Sequence, residues 1–304
     1  MDKIDGVIAF VKAVEAGSFI GAARKLGLTA SAVSKRVAAL EDRLGVRLLN
    51  RTTRSLSVTP DGTSFYERCA RILSDLEEAE FAISGASACP RGRLRIDLPV
   101  ALGRTRIVPA LAGFAERYPE VALDVALNDR LVDLVDEGVD VAVRFGELKD
   151  SRLVARKLAR TRFVVCAAPA YLARRGAPTA LEDLRHHDCL AYVYPHSGRT
   201  AEWQVSIHGE RKGITVEGRM AFNNVEALLA AAEVGAGLVQ LGDYLAAGAL
   251  ARGALLTVLN KWMPEGPSIS AIYAQNRHLS PKVRALVDFL VELFASHAGK
   301  DLGQ

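Results

Sequence analysis

Eight basic side chains between residues 18 and 60 concentrate positive charge in one short part of the sequence. They are Arg24, Lys25, Lys35, Arg36, Arg43, Arg47, Arg51 and Arg54. Glu41 and Asp42 are the only acids there, so this window carries a net charge of +6, whereas the whole chain carries +4. Arginine and lysine at this density bind phosphate groups, and the chemistry indicated is contact with a nucleic-acid backbone. The alternative is an ordinary solvated basic surface.

Short helices are predicted to position these side chains. Apolar residues recur on one face from Ile4 to Val14, which predicts a helix that ends near Gly17. Ser18 is expected to cap a second helix that Gly27 ends, and Thr29 a third helix over 30–44. Two short helices around a glycine-containing turn are typical of a helix-turn-helix. The polar residues of the third helix predicted to reach base edges and phosphates are Ser31, Ser34, Lys35 and Arg36.

The segment after the third helix predicts a hairpin of two short strands with a basic tip. A hairpin at this place is a wing, whose side chains lie along phosphates or in the minor groove. The wing residues predicted to contact DNA are Arg51, Thr52 and Arg54.

Thr59, Pro60 and Asp61 form a strong start signal for a further helix, predicted to run to about residue 84. Its apolar residues repeat at alternating steps of four and three, which is a heptad pattern. They are Phe65, Cys69, Ile72, Leu76, Ala79 and Ile83. A long helix with such a seam predicts pairing with a second chain. The alternative is an amphipathic helix that packs on its own domain.

From residue 93 onward, strands alternate with helices, which predicts a mostly parallel sheet covered on both faces. This part of the chain is long enough for two lobes, and ligands bind between lobes in such folds. Strands are predicted at 93–99, 121–127, 139–145, 153–158, 162–168, 237–241, 255–259 and 269–274. Helices are predicted at 102–118, 130–137, 223–234 and 281–297.

Composition and motifs exclude several classes of protein. Half the residues are hydrophobic and 24% are charged, which is a globular composition. No apolar run is long enough for a membrane helix and no signal peptide is recognisable, so we expect a cytoplasmic protein. The segment from His186 to Cys189 suggests a metal site, but adjacent side chains converge poorly on one ion, and no metal is predicted. The four cysteines are expected to be inert thiols, with oxidant sensing as the alternative.

The N-terminal part resembles the DNA-binding domain of LysR-type transcriptional regulators, without a gap, over AFVKAVEAGSFIGAARKLGLTASAVSKRVAALEDRLGVRLLNRTTRSLSVTPDG. Later segments resemble the effector-binding domain of that family, among them PVALGRTRIVPAL, DVAVRFGELKDSRLVARKL and NNVEALLAAAEVGAGLVQLGDYL. The implied fold class is a multidomain α/β protein with a winged helix-turn-helix, a long linker helix and a two-lobed α/β domain similar to periplasmic binding proteins. The implied boundaries are 1–59 for the winged helix, 60–86 for the linker and dimerisation helix, 87–92 for a hinge and 93–304 for the effector-binding domain. Within that domain, lobe I covers about 93–161 and 268–304, and lobe II about 162–267.

The resemblance implies a sequence-specific regulator of transcription controlled by a small-molecule effector between the lobes. Its implied partners are double-stranded DNA, further copies of itself in a homotetramer built as a dimer of dimers, and RNA polymerase when it activates. No cofactor, metal or membrane association is implied. The alternative class is an enzyme or a transport-type binding protein, but we find no catalytic constellation and no export signal.

The residues that would contact the effector follow by position from the same resemblance. They are Ala101, Leu102, Gly103, Arg104, Asn128, Arg144, Phe145, Gly146, Asn223 and Asn224. Many relatives have Ser or Thr where this chain has Ala101, so one donor to an anionic ligand is missing, although Arg104 and backbone amides remain. Arg144 is either the counter-ion of an acidic effector or the salt-bridge partner of Asp129 or Glu147. An anionic effector is therefore one expectation.

Overall fold

The chain folds as two units, Met1–Ala88 and Cys89–Gln304. The computed structural model describes residues 3–51, 56–83, 89–130, 134–146, 153–195, 197–275 and 279–297. In the described part of the N-terminal unit, four helices accompany a two-stranded hairpin. The elements are α1 (Lys3–Ala16), α2 (Phe19–Leu26), α3 (Ala30–Leu44), β1 (Leu49–Arg51), β2 (Leu56–Val58) and α4 (Pro60–Ile83).

The predicted helix caps of the N-terminal unit are confirmed. The Ser18 hydroxyl accepts a hydrogen bond from the Gly21 amide at 3.1 Å, and α2 ends at Gly27 in the left-handed region. The Thr29 hydroxyl accepts from the Ala32 amide at 3.2 Å and starts α3. Each cap satisfies amide groups that the helix itself leaves unpaired, which is why these boundaries are readable from sequence.

Hydrogen bonds from side chains near the turns connect the hairpin and α4 to the helical core. One carboxylate oxygen of Glu41 accepts hydrogen bonds from the amides of Leu48 and Leu49 at 2.9 and 3.0 Å. The Thr59 hydroxyl accepts from the Gly62 amide at 2.9 Å and donates to the Arg47 carbonyl at 2.7 Å. One of the two acids in the basic window therefore serves the fold, since it orients the chain that enters the wing.

The predicted apolar seam of α4 divides into two halves. Cys69 is buried in the core of the N-terminal unit, and the Phe65 ring lies 5.7 Å from that of Phe10. Farther along, Ile72 is 63% exposed and Leu76 is 43% exposed. The alternative interpretation, packing on its own domain, therefore holds for Phe65 and Cys69 but not for Ile72 and Leu76. The side chains of Ala79 and Ile83, the last two seam positions, lie outside the described residues.

The C-terminal unit is an α/β structure with helices interspersed among strands. Its strands are β3 (Gly92–Leu98), β4 (Val121–Leu127), β5 (Val141–Phe145), β6 (Leu153–Ala167), β7 (Cys189–Tyr192), β8 (Trp203–Ile207), β9 (Glu210–Ile214), β10 (Ala221–Phe222), β11 (Leu238–Gly242), β12 (Leu256–Val258) and β13 (Glu265–Ala274). Its helices are α5 (Val100–Leu102), α6 (Val108–Arg117), α7 (Leu134–Glu137), α8 (Pro169–Arg175), α9 (Val225–Glu233), α10 (Asp243–Ala251) and α11 (Pro281–His297). A π-helical turn, Gly103–Ile107, joins α5 to α6, and Leu181–His186 and Asn260–Trp262 are short 3₁₀ helices.

Within the described residues, one sheet of nine strands runs through this unit in the order β10-β7-β11-β6-β13-β5-β3-β4, with β12 paired to β6. The prediction of a mostly parallel sheet is only half correct. The outer strands are parallel, as β3 is with β4 and β5, and β7 with β10 and β11. The two central strands, β6 and β13, are antiparallel to each other and to their neighbours, because each crosses from one lobe to the other.

The prediction of two strands at 153–158 and 162–168 is wrong, because both segments belong to the single strand β6 of 15 residues. The charged, exposed residues in its middle interrupt the apolar pattern but not the pairing, because neither Gly nor Pro breaks the chain there. The predicted hinge at 87–92 is also shorter at its end, since Gly92 already belongs to β3. Residues 87–88 of that hinge lie outside the described part of the chain.

Separate hydrophobic clusters fill the two lobes. In lobe I, α6 and α11 cover β3, β4 and β5, with Phe114 and Leu290 fully buried. In lobe II, α9 and α10 pack on β11 and the end of β6. Helices α8 and α10 and the hairpin of β8 and β9 were absent from the sequence prediction, because short elements carry too little periodicity.

Candidate functional site

The two sides of α3 separate the domain core from a polar surface. Val33, Val37 and Leu40 are buried, whereas Ser31 and Lys35 lie one turn apart on the opposite side and are exposed. Asp42 is exposed on the same side nearer the end of the helix. Only the first half of this surface therefore lacks negative charge, and it is the half that a helix-turn-helix presents to bases.

The prediction that four residues share this polar face needs correction. Ser34 and Arg36 are about 200° apart around a helix of 3.6 residues per turn, so they lie on its two flanks. The Arg36 guanidinium lies 3.6 Å from the Asp5 carboxylate of α1, and 28% of the side chain is exposed. This ion pair was missed because its partner is on another helix. Ser31 and Lys35 are left as the outward-facing pair.

The wing contributes one described residue of the predicted contacts. Arg51 is the last residue of β1, where its backbone pairs with Leu56 of β2. Thr52 and Arg54 lie outside the described residues, as does the Arg51 side chain, and their contact with DNA stays a prediction. Four further basic residues of the window are exposed. They are Arg24, Lys25, Arg43 and Arg47.

The second candidate site is a cavity of about 560 Å³ between the lobes of the C-terminal unit. Of the ten residues predicted to contact an effector, Ala101, Asn128, Arg144 and Phe145 line this cavity. They come from lobe I, at the ends of β4 and β5 and from α5. Ligands in open α/β sheets bind at these carboxyl ends of parallel strands.

The other six predicted residues do not line the cavity, and most of them have a structural task instead. Leu102 and Gly103 are buried beneath the cavity wall, where a side chain at Gly103 would collide with Leu98 and Leu127. Arg104 pairs with Glu226 at 2.6 Å. The others are Gly146, whose amide donates to the Ser268 carbonyl, Asn223, which is exposed, and Asn224, which caps α9.

Asp97, a residue that sequence reasoning missed, organises the charged wall of the cavity. Its side chain is 2% exposed, and one carboxylate oxygen lies 2.5 Å from Arg144 Nη2. The other oxygen accepts a hydrogen bond from the Asn128 amide group at 2.5 Å. Asp129, one of the two predicted partners of Arg144, is therefore not its partner in the structure, whereas Glu147, the other, lies outside the described residues. A buried carboxylate requires such partners, because desolvation of an unpaired charge is costly.

Aromatic residues from lobe II complete the cavity, and sequence reasoning missed them as well. Tyr192, Tyr194, Trp203 and Tyr244 all line it. Burial, reinforced by the charge of Asp129, raises the pKa of Tyr192 above its usual range. The phenol therefore stays protonated near neutral pH and can donate a hydrogen bond. These residues belong to separate strands, a loop and helix α10, so no spacing along the sequence relates them.

Cys166 and Cys189 lie outside the cavity lining and are buried, whereas Cys89 is exposed. Burial raises the pKa of the Cys166 and Cys189 thiols to about 12, which suppresses the reactive thiolate. His187 Nδ1 lies 3.1 Å from the Tyr171 hydroxyl, and His186 Nε2 accepts a hydrogen bond from Arg185. Among the described residues, no three His, Cys, Asp or Glu side chains are grouped so that they could bind a metal.

Each of the two units matches the sequence profile of a known protein family. The profile described as "Bacterial regulatory helix-turn-helix protein, lysR family" matches residues 4–63. The profile described as "LysR substrate binding domain" matches residues 87–295.

Individual relatives extend over nearly the whole chain. An HTH-type transcriptional repressor of Pseudomonas aeruginosa is 37% identical over 98% of this chain and 94% of its own length. An HTH-type transcriptional regulator of Xanthomonas campestris is 42% identical over 95% of this chain and 84% of its own length.

Solved structures agree with this similarity. CrgA, a LysR-type transcriptional regulator from Neisseria meningitidis, is 36% identical with a TM-score of 0.61, over 95% of this chain and 98% of that one. A full-length AphB variant is 30% identical with a TM-score of 0.61, over 96% and 99%. No helix among the described residues is long and apolar enough to span a membrane. The chain belongs to the LysR family of helix-turn-helix transcriptional regulators, and not to a class of enzymes.

Proposed function

We propose that this protein regulates transcription by binding an operator through α3 and the wing, under the control of a small molecule held in the cleft of the C-terminal unit. The observation that carries the DNA contact is the exposed pair Ser31 and Lys35, opposite the buried face of α3. Ser31 is suited to base edges or phosphates and Lys35 to phosphates. As its operator lies on the chromosome, the protein acts in the cytoplasm.

The direct test is fluorescence anisotropy with labelled DNA from the region upstream of its own gene. A scrambled duplex and a salt series serve as controls. We expect selective binding that weakens steeply as salt rises, because phosphate contacts release counterions. Equal, weak binding to both duplexes at every salt concentration would contradict an operator at that place, and no binding at low salt would contradict the DNA-binding role.

Replacing Lys35 with alanine is expected to weaken operator binding about tenfold and to lower the salt slope by about 1, because one phosphate contact is lost. Arg36→Ala should weaken binding less, since Asp5 holds part of that guanidinium charge. The matched control is Lys212→Ala, which removes an exposed lysine of the other unit. A loss for Arg36→Ala larger than for Lys35→Ala would reverse the assignment of the outward face.

We further propose that the chain pairs with a second copy through the exposed second half of the α4 seam, around Ile72 and Leu76. Their exposed apolar side chains support this, since a heptad seam is stabilised when another helix covers it. Two such dimers would form the homotetramer, and a regulator that activates would contact RNA polymerase. The two lobes, with the boundaries implied by sequence, are the bodies that closure around the effector would move.

Ile72→Asp is expected to raise the dissociation constant of the dimer at least about tenfold, because a carboxylate would have to be desolvated in the seam. Sedimentation equilibrium of the full chain measures this constant. The control is Thr63→Asp, which adds the same charge at an exposed position on the opposite side of α4. Identical association of both variants would show that the seam does not join the chains.

A further inference from the structure

Six of the residues that line the cleft are aromatic. Phe145 and Tyr244 stack with their centroids 5.5 Å apart and an angle of 26° between the ring planes. Tyr192 and Tyr194 meet edge to face, also at 5.5 Å. Trp203, which is 4% exposed, adds a further ring. A cavity of about 560 Å³ with such walls suits a small aromatic molecule.

The arginines that line the cleft already have partners. Arg144 is neutralised by the buried Asp97 carboxylate at 2.5 Å. Arg130 forms a two-pronged contact with Glu137, at 3.0 and 2.7 Å. Arg211 donates to the Gln204 side chain at 2.8 Å and lies over the Phe163 ring. An anionic ligand would have to compete with the carboxylates for the first two of these groups.

The helix start that faces the cleft is also occupied by a carboxylate of the protein. The amide of Val100, at the beginning of α5, donates a hydrogen bond to Asp129 Oδ1 at 3.0 Å. An amide at this place could otherwise attract an anionic ligand. Asp129 also lines the cleft, and no cationic side chain of the described residues lies within 4 Å of its carboxylate, so none of these residues neutralises its negative charge.

The electrostatic environment of the tyrosines agrees with a negative cleft. Burial raises the pKa of Tyr244, and the charges of Asp129, Asp243 and Glu226 raise it further. Asp129 has the same effect on Tyr192. The carboxylate of Asp129 in lobe I therefore acts on phenols that belong to lobe II, across the space that a ligand would fill.

We propose that the effector is an aromatic amine, whose ring packs among Phe145, Tyr192 and Tyr244 and whose ammonium group pairs with the Asp129 carboxylate. The proposal rests on the proposed function, because it names the ligand class of that effector site. An ammonium group gains from the Asp129 carboxylate, which has no cationic partner among the described residues, and from the faces of neighbouring tyrosine rings. A carboxylate in the same place would meet Asp129 as a like charge. This replaces the expectation of an anionic effector.

Three probes of similar shape and different charge test the proposal with the full-length chain. They are phenethylamine, hydrocinnamate and phenethyl alcohol. Calorimetric titration gives each affinity, and tryptophan fluorescence, to which Trp203 in the cleft wall contributes beside Trp262, gives an independent readout. We expect the amine to bind at least about tenfold more tightly than the alcohol, as a charged hydrogen bond requires, and the carboxylate to bind most weakly.

Asp129→Asn separates charge from structure. Asparagine keeps a side-chain oxygen that can accept from the Val100 amide, but it removes the negative charge. We expect the variant to bind the amine about tenfold more weakly and the alcohol unchanged. Asp124→Asn is the matched control, since Asp124 is exposed on β4 and pairs with Arg93 and Arg95. It should leave all three affinities unaltered.

Tighter binding of hydrocinnamate than of phenethylamine would overturn the proposal, as would equal amine affinity in the wild type and Asp129→Asn. Absence of amine binding up to about 10 mM would overturn it too. Operator binding, measured separately by anisotropy, distinguishes this failure from that of the proposed function. If the operator is bound selectively and this binding changes on addition of hydrocinnamate, the proposed regulatory function stands and the proposal of an amine effector is rejected. If the wild-type chain binds phenethylamine as expected but does not bind the operator, the proposed regulatory function is rejected.

Discussion

Asp97→Ala is expected to destabilise the C-terminal unit by about 3–5 kcal/mol, because it removes a buried carboxylate and leaves the largely buried Arg144 without its counter-ion. The Asp97 side chain is 2% exposed and that of Arg144 is 12% exposed, so water replaces the lost carboxylate poorly. The Asn128 amide group loses its acceptor as well. Urea denaturation followed by tryptophan fluorescence measures this, since both tryptophans, Trp203 and Trp262, belong to the C-terminal unit.

Two further variants test the cause of that loss. Asp124→Ala removes an exposed carboxylate of lobe I and should cost at most about 1 kcal/mol, as is usual for surface pairs. The double variant Asp97→Leu with Arg144→Met should recover most of the stability, because it removes both charges and retains apolar volume. A single Asp97→Ala variant with wild-type stability would mean that Arg144 finds water or another partner.

Gly62→Ala is expected to cost more than about 3 kcal/mol and to abolish operator binding, because the added methyl group has no room. Its Cβ would lie 2.0 Å from the backbone oxygen of Leu48 and 2.8 Å from Val58. Gly62 stands in the first turn of α4, where that helix crosses the base of the wing. Relief would require the wing to move away from α4, which would displace the basic tip. Far-UV circular dichroism and anisotropy follow both effects.

The same substitution elsewhere gives the control for Gly62→Ala. Gly113 lies in α6, where an added methyl group would have no heavy atom of a neighbouring residue within 4 Å, and its φ is not positive. Gly113→Ala should therefore stabilise its helix slightly, by about 0.5–1 kcal/mol. The tryptophan transition of the C-terminal unit should be unchanged in Gly62→Ala. Wild-type operator affinity of Gly62→Ala would contradict the tight crossing of α4 and the wing.

The corrected environment of Arg144 changes how cleft variants are interpreted. Arg144→Ala removes a cleft residue and also leaves the buried Asp97 carboxylate without its cationic partner. A lost effector response would therefore not by itself identify a ligand contact. Asp129→Asn avoids this difficulty, since Asp129 is exposed and its variant can keep the hydrogen bond from Val100.

The amino-acid sequence by itself determined the elements whose causes are local. Ser18, Thr29 and Thr59 start helices at the predicted residues, because a capping side chain bonds to amides three residues away. The buried face of α3 follows from the helical repeat of apolar residues in the same way. The family resemblance, carried by these same segments, was sufficient to identify a winged helix followed by a two-lobed domain.

Tertiary structure alone decided which side chains meet across elements. Arg36 pairs with Asp5 on another helix, and Arg144 with Asp97, 47 residues earlier in the sequence. The rings of the cleft come from separate elements of both lobes, with Phe145 in lobe I and the tyrosines in lobe II. Which partners meet depends on strand register and on how the layers pack. The spacing of residues within one segment gives no information about either. For the same reason, the charge that faces the cleft follows only from the tertiary structure, in which Arg130 and Arg144 pair with carboxylates and no described cationic side chain pairs with Asp129.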